Sequence, residues 1–423
     1  MNVIRAVVSH PSKQGNMYRV PAGAAASAIP ADFLTGFYFK PRQLPWRLLR
    51  LLPRSRRASL TEKLERRRLP TMDDAIVHQV SGPFTELFYT FFKGYRQGNA
   101  FHDWLASRWL RAHVKPASRG VFHGFQESCI RSLGRARSLG LTAMLESTLP
   151  PSTWPIVASE YKRLGVPWQG ETKPSPELLA ELPAAEFHIA QSAFAERSLI
   201  DYGVDPGRIF RMPLGVDAKR FAPKAGLTNA EPRRDRPFRV LFAGQLSVRK
   251  GVHHLLAAWQ AAGLKDAELV FAGAPRDPYI RELIGRAGPA VRPLGFVPNV
   301  RLHETYQSAD LFVFPSLAEG GVYVIYEALA AGLPCIVSAN AGSAVRDGVE
   351  GFVFPAGDID AMAARLKQLA GDEALRRTMA IAARARGEHF AWPNFYRRIG
   401  IMYREAVARD HRPAEGPMDL FDR

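Results

Sequence analysis

Short apolar runs alternate with stretches of helical periodicity along most of the chain. The helical stretches, such as Val252–Ala262 and Val322–Ala331, repeat apolar residues three and four positions apart. The apolar runs predict strands over Val3–Val8, Gly120–His123, Thr142–Glu146, Phe187–Ala190, Ile209–Met212, Arg239–Ala243, Glu268–Ala272, Val291–Leu294, Leu311–Phe314, Cys335–Ser338 and Gly351–Phe354. Strands that alternate with helices are typical of parallel sheets covered by helices on both faces. The pattern therefore predicts an α/β protein.

The alternation is interrupted between Lys219 and Pro237, a stretch rich in Pro, Arg and Ala without apolar periodicity. A chain of 423 residues is long enough for two domains, each with its own core. We expect a first domain over 1–215, a second over 216–392, and a C-terminal helix in 393–423 that packs on either domain. The polar residues from Asp410 onward predict a loose tail.

The composition, 47% hydrophobic and 23% charged, is that of a folded soluble protein. The two cysteines, Cys129 and Cys335, lie far apart and lack metal-type spacing, which argues against a disulfide framework and favours a reducing compartment. The first apolar run is too short for a signal peptide, and no apolar run is long enough to cross a bilayer. These features predict a cytoplasmic location.

The net charge of +17 is concentrated in one segment. Residues 39–70 contain 11 basic and two acidic residues, with Trp46 and four leucines interleaved from 48 to 52. An anionic membrane surface, nucleic acid and a solvated surface are all compatible with such a segment. No motif that reads nucleic acid accompanies the charge, so we expect no nucleic-acid partner and keep the inner face of a membrane as an alternative to a solvated surface.

A strand, a turn beginning at Gly244 and a helix form one candidate anion site. Arg249 and Lys250 lie at the positive end of the predicted helix dipole, where a cation is unfavourable by roughly 0.3–1 kcal/mol. A bound anion would reverse this effect, because it meets two cations and free backbone N–H groups. The alternative is a pair of solvated basic residues. The chain has neither a GxGxxG nor a Walker A motif, so dinucleotide and P-loop sites lose support.

A second candidate site is the segment from Phe314 to Pro334, which contains Glu319 and Glu327. Gly320 and Gly321 are expected to open a helix and to leave its N–H groups accessible to a phosphate. Glu327 can lean back along that helix. One carboxylate could then hold sugar hydroxyls and the other ribose hydroxyls. In the alternative, Glu319 is a partner of the helix dipole and Glu327 a surface residue.

These motifs, taken together and in order, resemble the retaining GT-B glycosyltransferases of family 4, the glycosyl transferases group 1. The segments that carry the resemblance are Pro213–Asp217, Gly244–Gly251, Phe314–Pro334 and Ala339–Gly348. The match is dense from about Glu186 to Asp358. It implies two Rossmann-like doubly wound domains that face each other across a cleft. It also implies retaining hexosyl transfer from a UDP- or GDP-sugar to a glycan or lipid-linked acceptor, with neither a metal nor another cofactor.

The resemblance also implies roles for individual residues. Lys250, with Arg249 and the Gly244 turn, binds the donor diphosphate; Glu319 contacts the transferred sugar; Glu327 binds the ribose. The amides of Gly320, Gly321 and Val322 meet the distal phosphate. The chain departs from the family at Gln245, where arginine is frequent, and at Val322, where glycine is frequent.

The first half resembles the family only loosely. Gly15 and Asn16 are the expected acceptor-side loop. Glu146 stands where the family often has a histidine, and it is a candidate general base or acceptor-orienting carboxylate; His123 is a second acceptor-side candidate.

Two further sequence features resemble metal-binding motifs, but we interpret neither of them as a metal site. Asp358-Ile-Asp360 is expected to cap a helix rather than to bind metal. His253 and His254 are adjacent on a helix, so we expect them not to face one metal ion.

Two alternatives to transfer stay open. One is a sugar-nucleotide epimerase or phosphorylase of the same architecture, and the other is a non-catalytic relative that binds membranes through residues 39–70.

Overall fold

The structure, a computed structural model, describes residues 4–11, 17–43, 46, 53–82, 84, 95–223, 236–409 and 411–423. Its first sheet contains β1 Arg5–His10, β2 Ala31–Thr35, β3 Val77–Gln79, β4 Gly120–Phe125, β5 Leu141–Glu146, β6 Phe187–Ala190, β7 Ile209–Arg211 and β14 Met418–Asp419. The second contains β8 Phe238–Ala243, β9 Ala267–Ala272, β10 Val291–Gly295, β11 Leu311–Phe314, β12 Cys335–Ser338 and β13 Gly351–Phe354.

Helices cover the sheets. Those preceding β8 are α1 Arg19–Ala26, α2 Arg54–Glu65, α3 Tyr95–His113, α4 Ile130–Ser138, α5 Thr153–Arg163, α6 Pro176–Ala184 and α7 Ala193–Asp201. Those that follow are α8 Val252–Ala262, α9 Pro278–Arg286, α10 Asn299–Gln307, α11 Tyr323–Ala330, α12 Ile359–Gly371, α13 Glu373–His389 and α14 Trp392–Ala408. Of the described helices, none is both long and apolar enough to pass through a bilayer.

Both sheets are parallel and doubly wound, which confirms the predicted fold class. The second sheet has the strand order β10-β9-β8-β11-β12-β13, and the first has β14-β7-β6-β5-β4-β1-β2-β3. In such sheets the chain winds outward in both directions from a central strand pair, and ligands bind in the crevice beyond the carboxyl ends of that pair. The pairs are β8 and β11 in the second sheet and β1 and β4 in the first.

The second sheet matches the prediction strand for strand, because its central strands are buried on both faces. β11 and β12 are buried at every position, so they read as uninterrupted apolar runs. The first sheet contains strands that the pattern missed. β3 includes His78 and Gln79 and lies at the sheet edge, where a polar strand is tolerated.

The C-terminal segment packs on the first domain. Ile399 and Tyr403 of α14 are fully buried in the same hydrophobic core as Val8 and Phe33. The expectation of a loose tail was wrong, because β14 pairs with β7 and Leu420 is fully buried. Asp422 also accepts a hydrogen bond from Arg386 at 2.6 Å.

The basic segment 39–70 is described only in part, since residues 44, 45 and 47–52 lie outside the described residues, as does 224–235 of the predicted linker. Lys40 does not contribute surface charge. Its ammonium is buried and donates to the carbonyl oxygens of Asp74 and Val77, each at 2.7 Å.

Candidate functional site

The turn after β8 and the loop after β11 meet at the carboxyl edge of the second sheet. Gly251, which precedes α8, has φ of 70°, and a Cβ there would overlap the carbonyl oxygen of Pro315. Arg249 is tied to the same loop, because its carbonyl accepts from the amide of Leu317 at 2.8 Å and from the hydroxyl of Ser316 at 3.0 Å. The backbone thus brings the two predicted phosphate-binding segments into contact.

The Glu319 carboxylate lies between the two cations of the turn. Its Oε1 is 2.5 Å from Nη1 of Arg249, 2.5 Å from Nζ of Lys250 and 3.0 Å from Oγ of Ser316. Burial alone would raise the pKa of Glu319, but Lys250 and then Arg249 hold it below its ordinary value. Glu319 is therefore an ionised, buried carboxylate, only 5% exposed.

The cluster carries an excess of one positive charge. Burial lowers the pKa of Lys250, and Arg249 adds to that effect while Glu319 opposes it. Lys250 also lies 5.1 Å from the ring centroid of Phe314, a cation–π contact. The arrangement supplies what an anion needs, a desolvated positive charge at a helix start.

Glu327 is half-buried and bonded to a residue that the sequence did not single out. The hydroxyl of Tyr306 lies 2.9 Å from its Oε2. Burial raises the pKa of Glu327 to about 7, although Tyr306 and then Arg220 act in the opposite direction. Tyr306 occupies an apolar position of α10, and nothing in the sequence pattern marks it as a partner of Glu327.

The two glycines before α11 lie at the interface between the domains. The helix begins at Tyr323, within one residue of the predicted Val322–Ala331, and Gly320 and Gly321 lie in the loop before it rather than opening it. A Cβ on Gly320 would overlap the carbonyl oxygen of Thr148, and one on Gly321 would lie 2.9 Å from Cβ of Gln191. These positions therefore require glycine for close approach of the first domain; the phosphate contact of their amides stays a prediction.

Glu146 and His123 belong to one buried chain of hydrogen bonds. Oε2 of Glu146 is 2.9 Å from Nε2 of His123, and Nδ1 of His123 is 2.8 Å from the hydroxyl of Tyr403. Nε2 of Gln191 donates to Oε1 of Glu146 at 2.6 Å. Because Gln191 also contacts Gly321, this chain reaches the loop of the second domain. Tyr403 is 280 residues from His123, so no local signal pairs them.

Other candidates lie elsewhere. Gly15 and Asn16 fall outside the described residues. Gln245 is exposed and borders a cavity of about 740 Å³ between the domains, a volume typical of small-molecule sites. Residues of both domains line this cavity, among them Tyr161, Trp168, Gln245, Ser247, Arg249 and Arg276. Gly244, with φ of 133°, forms the turn that leads into it.

The predictions for Asp358-Ile-Asp360 and for the adjacent histidines, His253 and His254, had different outcomes. Asp358 caps α12 as predicted, accepting from the amide of Ala361 at 2.9 Å. The geometric argument about the adjacent histidines was wrong. Nε2 of His253 and Nε2 of His254 lie 2.7 and 3.0 Å from the same Oε1 of Glu160.

Comparisons with known proteins identify related sequences. A family model described as Glycosyl transferases group 1 matches residues 237–372. D-inositol 3-phosphate glycosyltransferase 1 of Catenulispora acidiphila is 30% identical over 60% of this chain and 67% of that protein. D-inositol 3-phosphate glycosyltransferase of Salinispora arenicola is 32% identical over 52% of this chain. The chain spans about half the length of the latter, 55%.

The fold comparison covers nearly the whole chain. Sucrose-phosphate synthase from Thermosynechococcus elongatus matches 96% of this chain and 99% of that one, with a TM-score of 0.61 and 19% identity. This likeness shows the fold, two Rossmann-like domains in the GT-B architecture.

The interface role of Gly320 leads to a paired test. Gly320→Ala should lower stability by about 1–3 kcal/mol and reduce activity, because the methyl group must displace Thr148 and with it the first domain. Gly134→Ala is the control, since it lies within α4 with open space around its Cβ, and it should stabilise by roughly 0.5–1 kcal/mol. Thermal unfolding and turnover of both variants provide the measurement. Equal behaviour of the two variants would show that Gly320 is not a packing constraint.

Proposed function

The chain belongs to the glycosyl transferases group 1, and from that premise we propose that it transfers a hexose from a UDP- or GDP-sugar to a glycan or lipid-linked acceptor. The observation that carries the proposal is the Arg249–Lys250–Glu319 cluster at the carboxyl edge of the second sheet. Its buried positive charge matches a diphosphate, and its carboxylate matches sugar hydroxyls.

In the proposed step, the bond from the sugar C1 to the distal phosphate oxygen breaks and a bond from C1 to an acceptor oxygen forms. The acceptor hydroxyl passes its proton to the carboxylate of Glu146, the candidate general base, and the nucleoside diphosphate leaves with an added negative charge. Arg249 and Lys250 stabilise that charge in a site largely screened from water. Because they supply the charge that a metal ion supplies in other phosphate sites, we propose that transfer needs no metal. Retention of configuration is proposed from the family resemblance alone.

We assign Glu146 and His123 to the acceptor side. Both carboxylate oxygens of Glu146 already accept hydrogen bonds, from His123 and Gln191, so its orientation is set by buried partners. Such a carboxylate suits the role of orienting an acceptor hydroxyl beside the donor loop, with each oxygen retaining a lone pair. A cavity of about 740 Å³, bordered by Arg249 of the cluster and by Trp168 of the first domain, has room for sugar rings.

The donor cluster is tested first by binding and turnover. UDP- and GDP-sugars are screened by thermal shift, where a donor at about 100 times its Kd stabilises by about 2.7 kcal/mol. Lys250→Ala should reduce kcat by roughly 100-fold or more while the protein stays folded, since it removes one charge matched to the diphosphate. EDTA should leave turnover of the wild-type protein unchanged.

Glu319→Gln is the matched variant within the cluster. It keeps the side-chain shape and releases both cations from their carboxylate, so free UDP or GDP should bind as well as before or more tightly while kcat falls. Unchanged turnover in Lys250→Ala, or parallel loss of nucleotide binding in both variants, would contradict the assigned roles.

The raised pKa of Glu327 predicts a pH dependence of donor binding. The carboxylate is protonated below about pH 7 and ionised above it, and only the ionised form accepts two charge-assisted bonds from ribose hydroxyls. The donor KM should therefore fall by roughly fivefold as pH rises through 7. Glu327→Gln should have a higher KM without this pH dependence. A KM that varies with pH in the same way in both proteins would contradict the ribose role.

The epimerase and phosphorylase alternatives are separated by product analysis. Transfer consumes donor and acceptor together and releases the nucleoside diphosphate. An epimerase converts the donor without an acceptor, and a phosphorylase requires inorganic phosphate or a nucleotide as sugar carrier. A non-catalytic relative would bind a nucleotide sugar without turnover.

We propose further that residues 39–70 hold the protein on anionic lipid, next to a lipid-linked acceptor. The basic residues there other than the buried Lys40 could each contribute about 1 kcal/mol near such a surface. Flotation with anionic liposomes at low salt should recover the wild-type protein and lose a variant with Arg54, Arg56 and Arg57 replaced by Ser. The control replaces three exposed basic residues of the second domain, Lys265, Arg281 and Arg377. Equal flotation of both triple variants, or none of the wild type, would contradict the membrane role.

A further inference from the structure

Two helices from different domains meet at a cluster of potential metal ligands. Glu160 is near the end of α5 in the first domain, and His253 and His254 are in the first turn of α8 in the second. The carboxylate oxygen and the two Nε2 atoms all lie within 4.8 Å of one another. The two imidazole rings are adjacent, with centroids 3.9 Å apart.

We propose that Glu160, His253 and His254 form a binding site for a divalent transition-metal ion of the Zn²⁺ class that bridges the two domains. Two imidazole nitrogens and one carboxylate oxygen form a ligand set typical of open zinc sites, in which water completes a tetrahedron. Such a set favours Zn²⁺ over Mg²⁺, which prefers oxygen ligands and keeps several waters. This inference shares no side chain with the donor cluster and does not rest on the proposed transfer reaction.

The distances need only a small adjustment to accommodate an ion. Oε1 of Glu160 lies 2.7 Å from Nε2 of His253 and 3.0 Å from Nε2 of His254. An ion bonded at about 2.0–2.2 Å to all three atoms spaces them slightly farther apart than this. The side chains therefore already converge on one point.

The protonation states also suit a cation. Burial lowers the pKa of His253, and it lowers that of His254 to about 4, so both rings are neutral at neutral pH and offer a lone pair. The hydrogen bond from Arg163 is the main cause that lowers the pKa of Glu160 to about 2, so this carboxylate is ionised. Metal binding requires both conditions.

The second nitrogen of each ring determines which nitrogen can bind an ion. Both histidines are more than nine-tenths buried, and within the described part of the chain Nδ1 of each has no hydrogen-bond partner. The tautomer of a histidine is normally set by the bond of its other nitrogen. With the proton on Nδ1, Nε2 of each ring presents its lone pair to an ion, and among the described residues the Nδ1–H group lacks the outer-shell acceptor that usually accompanies a metal-bound histidine.

Arg163 is the competitor for this site. Its Nη2 is 2.6 Å from Oε1 of Glu160 and 3.2 Å from Nε2 of His254, so it stands where an ion would bind. Its side chain is 58% exposed and can move into solvent. A cavity of about 690 Å³, bordered by Glu160, Arg163 and His254, provides the path for an ion and its water.

The test is titration of the purified full-length chain with Zn²⁺ by calorimetry, together with the visible absorption of bound Co²⁺. We expect one saturable ion per chain, no comparable binding of Mg²⁺, and a Co²⁺ spectrum of tetrahedral nitrogen and oxygen ligation. Absence of saturable Zn²⁺ binding would overturn the proposal.

Variants distinguish this site from incidental binding. His254→Ala and Glu160→Gln should each weaken Zn²⁺ binding by more than the roughly 10–100-fold that follows loss of an outer-shell partner. Arg163→Ala should tighten binding by about two- to fivefold, the factor expected for a half-exposed ion pair. His113→Ala, at an exposed histidine outside the cluster, should bind as the wild type does.

Circular dichroism establishes that each variant is folded. Should His254→Ala not fold, Glu160→Gln and Arg163→Ala decide the matter by shifting affinity in opposite directions. Wild-type affinity in Glu160→Gln or His254→Ala would refute the site.

Discussion

The Glu319 carboxylate lies between Arg249 and Lys250, and the arrangement of the second domain's site depends on this buried ion cluster. Removing the Glu319 carboxylate would leave two cations without this anionic partner in a largely dry environment, and breaking a buried pair in this way typically costs about 3–5 kcal/mol. The backbone holds the cluster in place, because the loop after β11 bonds to the carbonyl of Arg249 and rests on Gly251. A diphosphate bound here, as proposed, would therefore share or take over cations that already have an anionic partner. For this reason, diphosphate binding would be linked to a change in how Arg249 and Lys250 pair with Glu319.

The second domain was largely predictable from the sequence, and the first was less so. Parallel strands buried on both faces produce continuous apolar runs, which local periodicity detects, and all six strands of the second sheet were found. β2, β3 and β14 were missed. β3 is short, polar and at an edge, and β14 lies in a polar tail that joins the first sheet only because α14 returns to that domain. Information of that kind is carried by long-range packing rather than by the local pattern.

In the site too, some residues were predictable from the local sequence and others were not. Glu319 and Glu327 were identifiable because they lie eight positions apart in a specific pattern, and Lys250 because it lies in the turn that begins at Gly244, just before a helix. Tyr306 and Tyr403 were not, because each is an aromatic residue on a helix whose polar atom meets its partner through tertiary folding. The glycines before α11 were predicted to leave their N–H groups accessible to a phosphate, and nothing in the sequence indicated that Thr148 of the first domain approaches Gly320. Likewise, the spacing of His253 and His254 on one helix said nothing about a carboxylate supplied by the opposite domain.

Some contacts near the domain interface would persist if the domains separated, and others would break. The chain from Tyr403 through His123 to Glu146 lies within the first domain and the helix packed on it, so it would persist in an open form. The contacts of Gly321 with Gln191 and of Gly320 with the Thr148 carbonyl exist only when the domains are together. Gln191 takes part in both sets, because its side-chain amide donates to Glu146 while its Cβ supports Gly321. The Glu146 network therefore lies within the first domain, whereas its position relative to the Gly320 loop depends on contact between the domains. If Glu146 orients the acceptor, as proposed, transfer requires the two domains to be in contact, an arrangement that excludes water from the reacting groups.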